Sequence, residues 1–121
     1  MRYLLLIHGD ADYYSKVAQS ELDAMLGEYY KFTDAIRESG EFVEGAALQG
    51  TETATTVRVR GDDTMVTDGP FAETREVLGG YYLVDCKDLD RAIELASQIP
   101  DVRNGSIEIR PIAELPPPPG S

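Results

Sequence analysis

The sequence has few of the residues that build disulfides, metal centres and membrane spans. Its 121 residues include one cysteine and one histidine. The single cysteine, Cys86, excludes an internal disulfide and a cysteine-rich zinc site, and any imidazole chemistry must use His8. No apolar run approaches the roughly 20 residues of a membrane-spanning helix. The N-terminus also lacks the basic segment and long apolar stretch of a signal peptide. We therefore expect one small cytoplasmic domain.

Positive charge is also scarce. Eleven basic residues face 22 acidic ones, which gives a formal net charge of −11. Such a field repels nucleic acid and anionic lipid and keeps a protein soluble, so we expect neither nucleic acid nor membrane as a partner. The sequence contains no nucleotide-binding glycine loop, no serine nucleophile elbow and no histidine-based metal motif. No cofactor or metal is therefore expected.

Hydrophobic periodicity predicts an alternation of strands and helices. Strands are expected at residues 3–7, 41–48, 54–60, 64–67, 80–86 and 106–112, with a hairpin turn at 61–63. Apolar residues at three- and four-residue spacing predict a helix capped by Ser20 and stopped by Gly40. Asp88 is expected to cap a second helix at residues 89–98. The proline run near the C-terminus predicts an extended tail.

The order of these elements indicates the fold class. Without the hairpin the order is βαββαβ, the ferredoxin-like arrangement of an α+β protein. Two helices cover one face of such a sheet, and the other face is left with an apolar patch that normally finds a partner. A two-fold homodimer, packed sheet against sheet, is the simplest solution. We expect one domain over residues 1–112 and a flexible, proline-rich tail over 113–121.

The least generic stretch runs from Thr67 to Glu76, between two predicted strands. Asp68, Gly69 and Pro70 predict a tight turn, because Asp bonds to the backbone ahead, Gly accepts unusual φ and Pro fixes its own φ. Loops on rigid scaffolds often carry function. We therefore expect the functional residues to lie on or near this segment.

The same stretch carries a family resemblance. Residues 68–76 read DGPFAETRE, which resembles the DGPFAETKE signature of the DGPF branch of the YCII-related family. Further similarity lies at residues 2–10, 54–60, 79–85 and 107–111, so it spans nearly the whole chain. The resemblance implies a dimeric α+β barrel. Family members of this branch are often encoded beside, or joined to, extracytoplasmic-function sigma factors, which implies a regulatory or sensing role.

Some members of the family carry a histidine early in the first long helix, and a His–Asp pair is proposed as their catalytic centre. One type eliminates chloride from a chlorinated aromatic compound. Aligned back from Gly40, that histidine falls near Tyr29, and this helix has no histidine. His8 and Asp68 are the candidate substitute pair, because an imidazole that titrates near neutrality suits a general acid or base. The alternatives are a strand-end histidine without a role and an aspartate that only stabilises its own turn.

Five further residues are predicted to contact a ligand: Tyr29, Arg58, Phe71, Glu73 and Tyr81. Tyrosines offer apolar faces and hydroxyls, and an arginine fork matches a carboxylate. Three of these predictions have a simpler alternative. Arg58 has many acids nearby to pair with, and Tyr81 is equally suited to core or dimer packing. Glu73 either joins Asp68 and Glu76 around a divalent ion or lies on a solvated acidic turn.

Two functions therefore remain open. The first is a small dimeric, enzyme-like protein that binds an aromatic or carbonyl-bearing molecule near the motif loop, with His8 or Asp68 moving a proton. The second is a non-catalytic ligand-sensing or partner-binding module of a transcriptional circuit. In the second case the motif loop is a docking element.

Overall fold

Four antiparallel strands form the main sheet of the protein. The computed structural model describes residues 1–120. The strands of the sheet lie in the order β2-β5-β1-β6, and β3 and β4 form a separate hairpin. The strands are β1 (Arg2–Asp10), β2 (Phe42–Ala47), β3 (Thr55–Arg60), β4 (Asp63–Asp68), β5 (Glu76–Asp85) and β6 (Gly105–Pro111). The helices are α1 (Ala11–Lys16), α2 (Gln19–Glu38) and α3 (Leu89–Ser97). The predicted α+β class with antiparallel pairing is confirmed.

The central strand β1 is longer than predicted. His8 does not end it, because His8 pairs with Leu78 of β5 and with Ser106 of β6. Side chains alternate between the two faces of a strand. Tyr3, Leu5 and Ile7 are therefore buried on the helix-covered side, whereas His8 lies on the opposite side and is partly exposed.

The hydrophobic core lies between α2, α3 and one face of the sheet. Leu5, Val84, Leu95 and Ile99 are the largest completely buried side chains, and they belong to one apolar cluster. The prediction of Ser20 as the cap of α2 was wrong, because Ala18 occupies that position without a capping side chain. The cap of α3 is confirmed, since the Asp88 carboxylate accepts a hydrogen bond from the Arg91 backbone at 2.9 Å.

The other face of the sheet carries no helix. Cross-strand pairing brings Leu4 opposite Leu83 and Leu6 opposite Tyr81 on this open face. All four side chains are partly exposed. Apolar groups at the centre of an uncovered sheet agree with the patch that the sequence predicted.

The motif segment differs from its prediction at both ends. Asp68 is the last residue of β4, and β5 begins at Glu76 rather than at Gly80. Residues 72–77 consequently form no helical turn, so Glu73 and Glu76 do not share a helix face. Gly69 has a φ of 111°, which strongly favours glycine, and its N–H donates to the Ala54 carbonyl at 2.7 Å. This hydrogen bond joins the turn to the start of β3.

Beyond β6, residues 112–120 include no helix or strand. None of the helices within residues 1–120 is long and apolar enough to cross a membrane.

Candidate functional site

A cleft of about 600 Å³ lies between α2 and the sheet. Residues at four-residue spacing fall on one face of a helix, and on α2 this spacing brings Met25, Tyr29, Thr33 and Arg37 to the cleft wall. The opposite wall comes from the ends of β2 and β5 and includes Tyr82. The cleft is therefore mostly apolar, with a few hydroxyl groups and one guanidinium group.

One polar contact of the cleft joins Tyr29 to Asp101. The Tyr29 hydroxyl donates a hydrogen bond to Asp101 Oδ2. Asp101 is only 6% exposed, and its other oxygen, Oδ1, is buried without a hydrogen-bond partner among the described residues. Most buried polar atoms in proteins are satisfied. Asp101 also belongs to the lining of the cleft, so a buried carboxyl with one unpaired oxygen lies at the cleft wall and is a candidate functional group.

The surroundings of this pair alter the protonation of both groups. Burial raises the pKa of the Asp101 carboxyl, and the nearby Arg103 acts in the opposite direction. Burial also raises the pKa of the Tyr29 phenol. Desolvation disfavours the charged form of each group. Tyr29 consequently keeps its proton at neutral pH, and Asp101 accepts one more readily than an exposed aspartate does.

Asp101 is held in place by the turn that follows α3. Pro100 to Arg103 form a 3₁₀ helix, and the Asn104 N–H donates to the Asp101 carbonyl at 3.0 Å. On the other side, Arg103 pairs with Glu28 of α2. These contacts connect the turn to the helix that carries Tyr29, and they fix the relative positions of the two side chains.

Two further contacts order the rest of the cleft. The hydroxyls of Thr33 and Tyr82 are 2.7 Å apart, so α2 and β5 share a hydrogen bond across the cleft. The Arg37 guanidinium lies 4.7 Å from the ring centroid of Phe42, a cation–π distance. Arg37 is the one basic side chain that lines the cleft within residues 1–120.

A second cleft, of about 780 Å³, adjoins the first and contains His8. It is lined by the motif loop, including Pro70 and Phe71, and by the start of β5 at Glu76. The two clefts share the segments 48–51 and 77–78. His8, one of the two residues predicted to be catalytic, thus lines the same cleft as the motif loop.

His8 and Asp68 are not hydrogen-bonded to each other in the described part of the chain. His8 Nε2 instead lies 3.3 Å from Glu108 Oε1, across the β1–β6 pair. Asp68 is exposed at the end of the hairpin, and it does not line either cleft. Glu76 accepts a hydrogen bond from the Ser106 hydroxyl at 2.6 Å. The carboxylate within reach of His8 is therefore that of Glu108.

The predicted ligand-binding residues are divided between the two clefts. Tyr29 borders the first cleft and Phe71 borders the second. Tyr81 belongs to the lining of the first cleft, although its side chain lies on the open face of the sheet. The Arg58 guanidinium lies 5.6 Å from the Phe71 ring centroid and pairs with no acid among residues 1–120. Glu73 is exposed outside both clefts. No group of three or more His, Cys, Asp or Glu side chains within the described residues is arranged to hold a metal ion.

Asp101 was missed by sequence reasoning. It follows Pro100 at the end of a helix, a position that usually indicates only a turn. The one signal available was Tyr29, at the position where the resemblance placed a catalytic histidine.

Comparison with known proteins defines the family. The model of the YCII-related domain matches residues 1–116.

The chain belongs to the YCII-related family.

It is also similar to the uncharacterised protein R00369 of Rhizobium meliloti (strain 1021), with 35% identity over 115 residues and 93% of each chain covered. The predicted membership of the YCII-related family is thus confirmed. The matched region covers nearly the whole chain and includes every residue of both clefts.

Proposed function

We propose that this YCII-related protein binds a small molecule in the cleft beside α2 and that Asp101 is its proton acceptor, acting through Tyr29. One observation carries the proposal: a buried carboxylate bonded to a phenol, with its second oxygen unpaired, at the wall of a mostly apolar cleft. Perturbed ionisable groups in clefts are typical of functional sites.

The chemistry is a concerted proton relay with two coupled transfers. A proton donor of the ligand lies against the Tyr29 oxygen. It passes its proton to that oxygen while Tyr29 passes its own phenolic proton to Asp101 Oδ2. Tyr29 is neutral before and after, and the net transfer is from the ligand to Asp101. A carboxyl whose pKa is raised towards the working pH is suited to this task.

The ligand is a small aromatic or carbonyl-bearing molecule. Tyrosine rings and several aliphatic side chains line the cleft. Its volume lies within the roughly 300–1,000 Å³ typical of pockets that bind small molecules through apolar walls and a few polar groups. The Thr33 and Tyr82 hydroxyls are suited to orient a carbonyl or hydroxyl group. The proposed substrate class thus follows from the lining.

His8 remains a proposed acid–base residue of the neighbouring cleft. Its support is its place beside the motif loop and its contact with Glu108 at 3.3 Å. The proposed partnership with Asp68 requires a movement of the hairpin that carries Asp68. Glu108 is the simpler partner, because it already holds the imidazole.

We also propose a two-fold homodimer with a ferredoxin-like protomer, the arrangement of a dimeric α+β barrel. The strand order and the partly exposed Leu6, Tyr81 and Leu83 of the open face support it. The hairpin offers further support, since Val57 and Val66 are 60% and 63% exposed and a two-stranded hairpin is only marginally stable alone. Leu6→Glu is expected to give monomers in sedimentation experiments, whereas Glu44→Gln at the sheet edge is expected to leave the dimer intact.

A second candidate function is a docking module without catalysis, with a sigma factor as the proposed partner and the DGPF-type loop as the docking element. The observation in its favour is Phe71, which is 81% exposed at the tip of the motif loop. Large exposed aromatic side chains often anchor protein–protein contacts. If this function is correct, the clefts bind no ligand and no small molecule stabilises the protein, whereas Phe71→Ala abolishes binding of the partner.

A ligand screen by thermal shift distinguishes these functions. Small aromatic and keto acids are tested on the wild type and on Tyr29→Phe, Asp101→Asn, His8→Ala and Asp68→Asn. Tyr3→Phe is the matched control, because Tyr3 is a buried tyrosine outside both clefts. Ligand at 100 times its Kd stabilises a protein by about 2.7 kcal/mol.

We expect a ligand that stabilises the wild type and Tyr3→Phe, with a much reduced shift for Tyr29→Phe and Asp101→Asn. If His8→Ala abolishes the shift instead, the site lies in the second cleft. If Asp68→Asn abolishes it, the site includes the end of the hairpin. Either result makes the relay through Tyr29 wrong. If every ligand fails and Phe71→Ala abolishes capture of a sigma factor, the docking function replaces the enzymatic one.

A further inference from the structure

Arg37 differs from most arginines of this chain in having no carboxylate partner among residues 1–120. Five of the other arginines take part in ion pairs within residues 1–120. These are Arg2, Arg75, Arg91, Arg103 and Arg110. In a chain with a net charge of −11, an arginine without an acidic partner is notable. Arg37 is found at the rim of the α2 cleft, where it is the one basic residue in the lining.

The orientation of Arg37 suits the binding of an anion. Its guanidinium stacks on Phe42, with 4.7 Å from the central carbon to the ring centroid. Stacking uses the flat face of a guanidinium and leaves its N–H edges available for a planar, two-pronged contact with a carboxylate. Phe42 in turn packs on Tyr82, with a centroid distance of 6.4 Å, so the arginine is supported by an aromatic row that continues into the cleft.

The cleft also sets the length of a ligand that reaches both ends. Tyr29 and Arg37 are eight residues apart on one face of α2, a rise of about 12 Å. Between them lie Thr33 and a wall of apolar and aromatic side chains. A ligand that contacts both ends therefore needs an acidic group, an apolar or aromatic middle and a protic or carbonyl group at the Tyr29 end.

We propose that Arg37 is the anion-binding residue of the cleft and that the ligand is an aryl-substituted carboxylic acid. This inference rests on the proposed function of the same cleft and specifies its substrate class. The carboxylate pairs with the edge of the Arg37 guanidinium. The aromatic ring lies along the row of Phe42 and Tyr82, and the reactive group meets Tyr29. Asp101 sits at the opposite end, so it does not compete for the guanidinium.

The test uses a series of probes in matched pairs. Phenylacetate, 3-phenylpropanoate and 4-phenylbutanoate are each compared with the corresponding neutral carboxamide. Affinities are measured by titration calorimetry or by NMR, with the side-chain signals of Tyr29 and Tyr82 reporting on binding in the cleft. The variants are Arg37→Gln, which removes the charge, and Arg37→Lys, which keeps it without the fork. Arg60→Gln is the matched control, since Arg60 lies on the hairpin and outside the cleft.

We expect the wild type to bind the longest acid best and its amide at least about 10-fold more weakly, as befits a charge-assisted hydrogen bond. Arg37→Gln is expected to weaken binding of the acid by about 10- to 100-fold and to leave the amide unchanged, with Arg37→Lys in between. Arg60→Gln is expected to bind both probes as the wild type does.

Two results overturn the inference in different ways. If the acid and its amide bind equally well, or if Arg37→Gln binds the acid as the wild type does, Arg37 is not the anion site, and the proposed cleft still stands. If no probe of the series shifts the Tyr29 and Tyr82 signals, both the proposed function and this inference are wrong.

Discussion

Removal of the Tyr29 hydroxyl isolates the buried carboxyl on which the proposed site depends. Tyr29→Phe keeps the ring but leaves both oxygens of Asp101 without a partner, in a position where the residue is 6% exposed. Loss of a partner to a buried ionised group costs about 1–3 kcal/mol or more, whereas an ordinary neutral hydrogen bond contributes about 1 kcal/mol. We therefore expect Tyr29→Phe to lower the free energy of unfolding by about 2–3 kcal/mol at pH 7.5.

The loss should depend on pH in a defined direction. The folded pKa of Asp101 is raised above its unfolded value, so its favourable contribution is fully present below about pH 3.9 and is lost as the pH rises through the folded pKa. Without the phenol the carboxylate loses a donor, and its pKa rises further. At pH 4.5, where more of the carboxyl is protonated, the loss should fall towards about 1 kcal/mol.

Tyr82→Phe is the matched control for this prediction. Its hydroxyl also lines the cleft, but its partner is the neutral hydroxyl of Thr33, at 2.7 Å. Its loss should be about 1 kcal/mol at both pH values. Urea unfolding followed by circular dichroism gives both free energies. Equal losses for Tyr29→Phe at pH 4.5 and pH 7.5 would refute the reasoning, because Asp101 would then not titrate as a buried acid.

Three further predictions concern stability away from the cleft. Leu5→Ala, at a completely buried position of β1, should lower the free energy of unfolding by about 2–5 kcal/mol in urea titrations, and a loss under 1 kcal/mol would contradict the packing of the core. Gly27→Ala should stabilise α2 by about 1 kcal/mol, because a Cβ there meets nothing within 4 Å. Gly69→Ala should destabilise the protein by about 1–3 kcal/mol, because the φ of Gly69 is 111°. Shifts of melting temperature with the same sign for both variants would contradict this. The pKa of Glu41 is lowered chiefly by its hydrogen bond from Arg91, so the stability that Glu41 contributes is present above about pH 4.3 and is lost as the pH falls through the folded pKa. The difference in melting temperature between the wild type and Glu41→Gln should therefore shrink on acidification. A difference that stays constant with pH would contradict this prediction.

Much of the fold was predictable because it follows from local periodicity. A continuous apolar run of strand length predicted β1, and the three- and four-residue spacing of apolar residues predicted α2 and α3. The boundaries were less accurate where tertiary contacts override local signals. His8 and Glu76 remain in strands because each has a neighbouring strand to pair with, a contact between residues distant in the sequence. Ser20 is a good capping residue, yet α2 begins before it.

The candidate site was predictable only in part. Tyr29 was predicted as a ligand contact, because a tyrosine offers an apolar face and a hydroxyl, and the family resemblance also placed a histidine near this position. Asp101 is 72 residues away in the sequence, and no pattern links the two before the chain is folded. His8 and Asp68 were predicted as a pair near the motif loop. In the folded chain, strand pairing places His8 beside Glu108, and Asp68 lies at the end of the hairpin. Arg37 was hidden for a similar reason, because the absence of an ion pair is a property of the folded chain.

The most direct test of the central claim is the titration of Asp101 itself. Carboxyl ¹³C NMR of selectively labelled protein follows this group between pH 3 and pH 8, without ligand and with saturating 4-phenylbutanoate. The account predicts a midpoint above the usual aspartate value of about 3.9, a further rise in Tyr29→Phe, and a change of the Asp101 signal when the acid binds. The account would be contradicted if the Asp101 carboxyl titrated at or below the usual value, and if neither Tyr29→Phe nor the bound acid changed its midpoint or its signal.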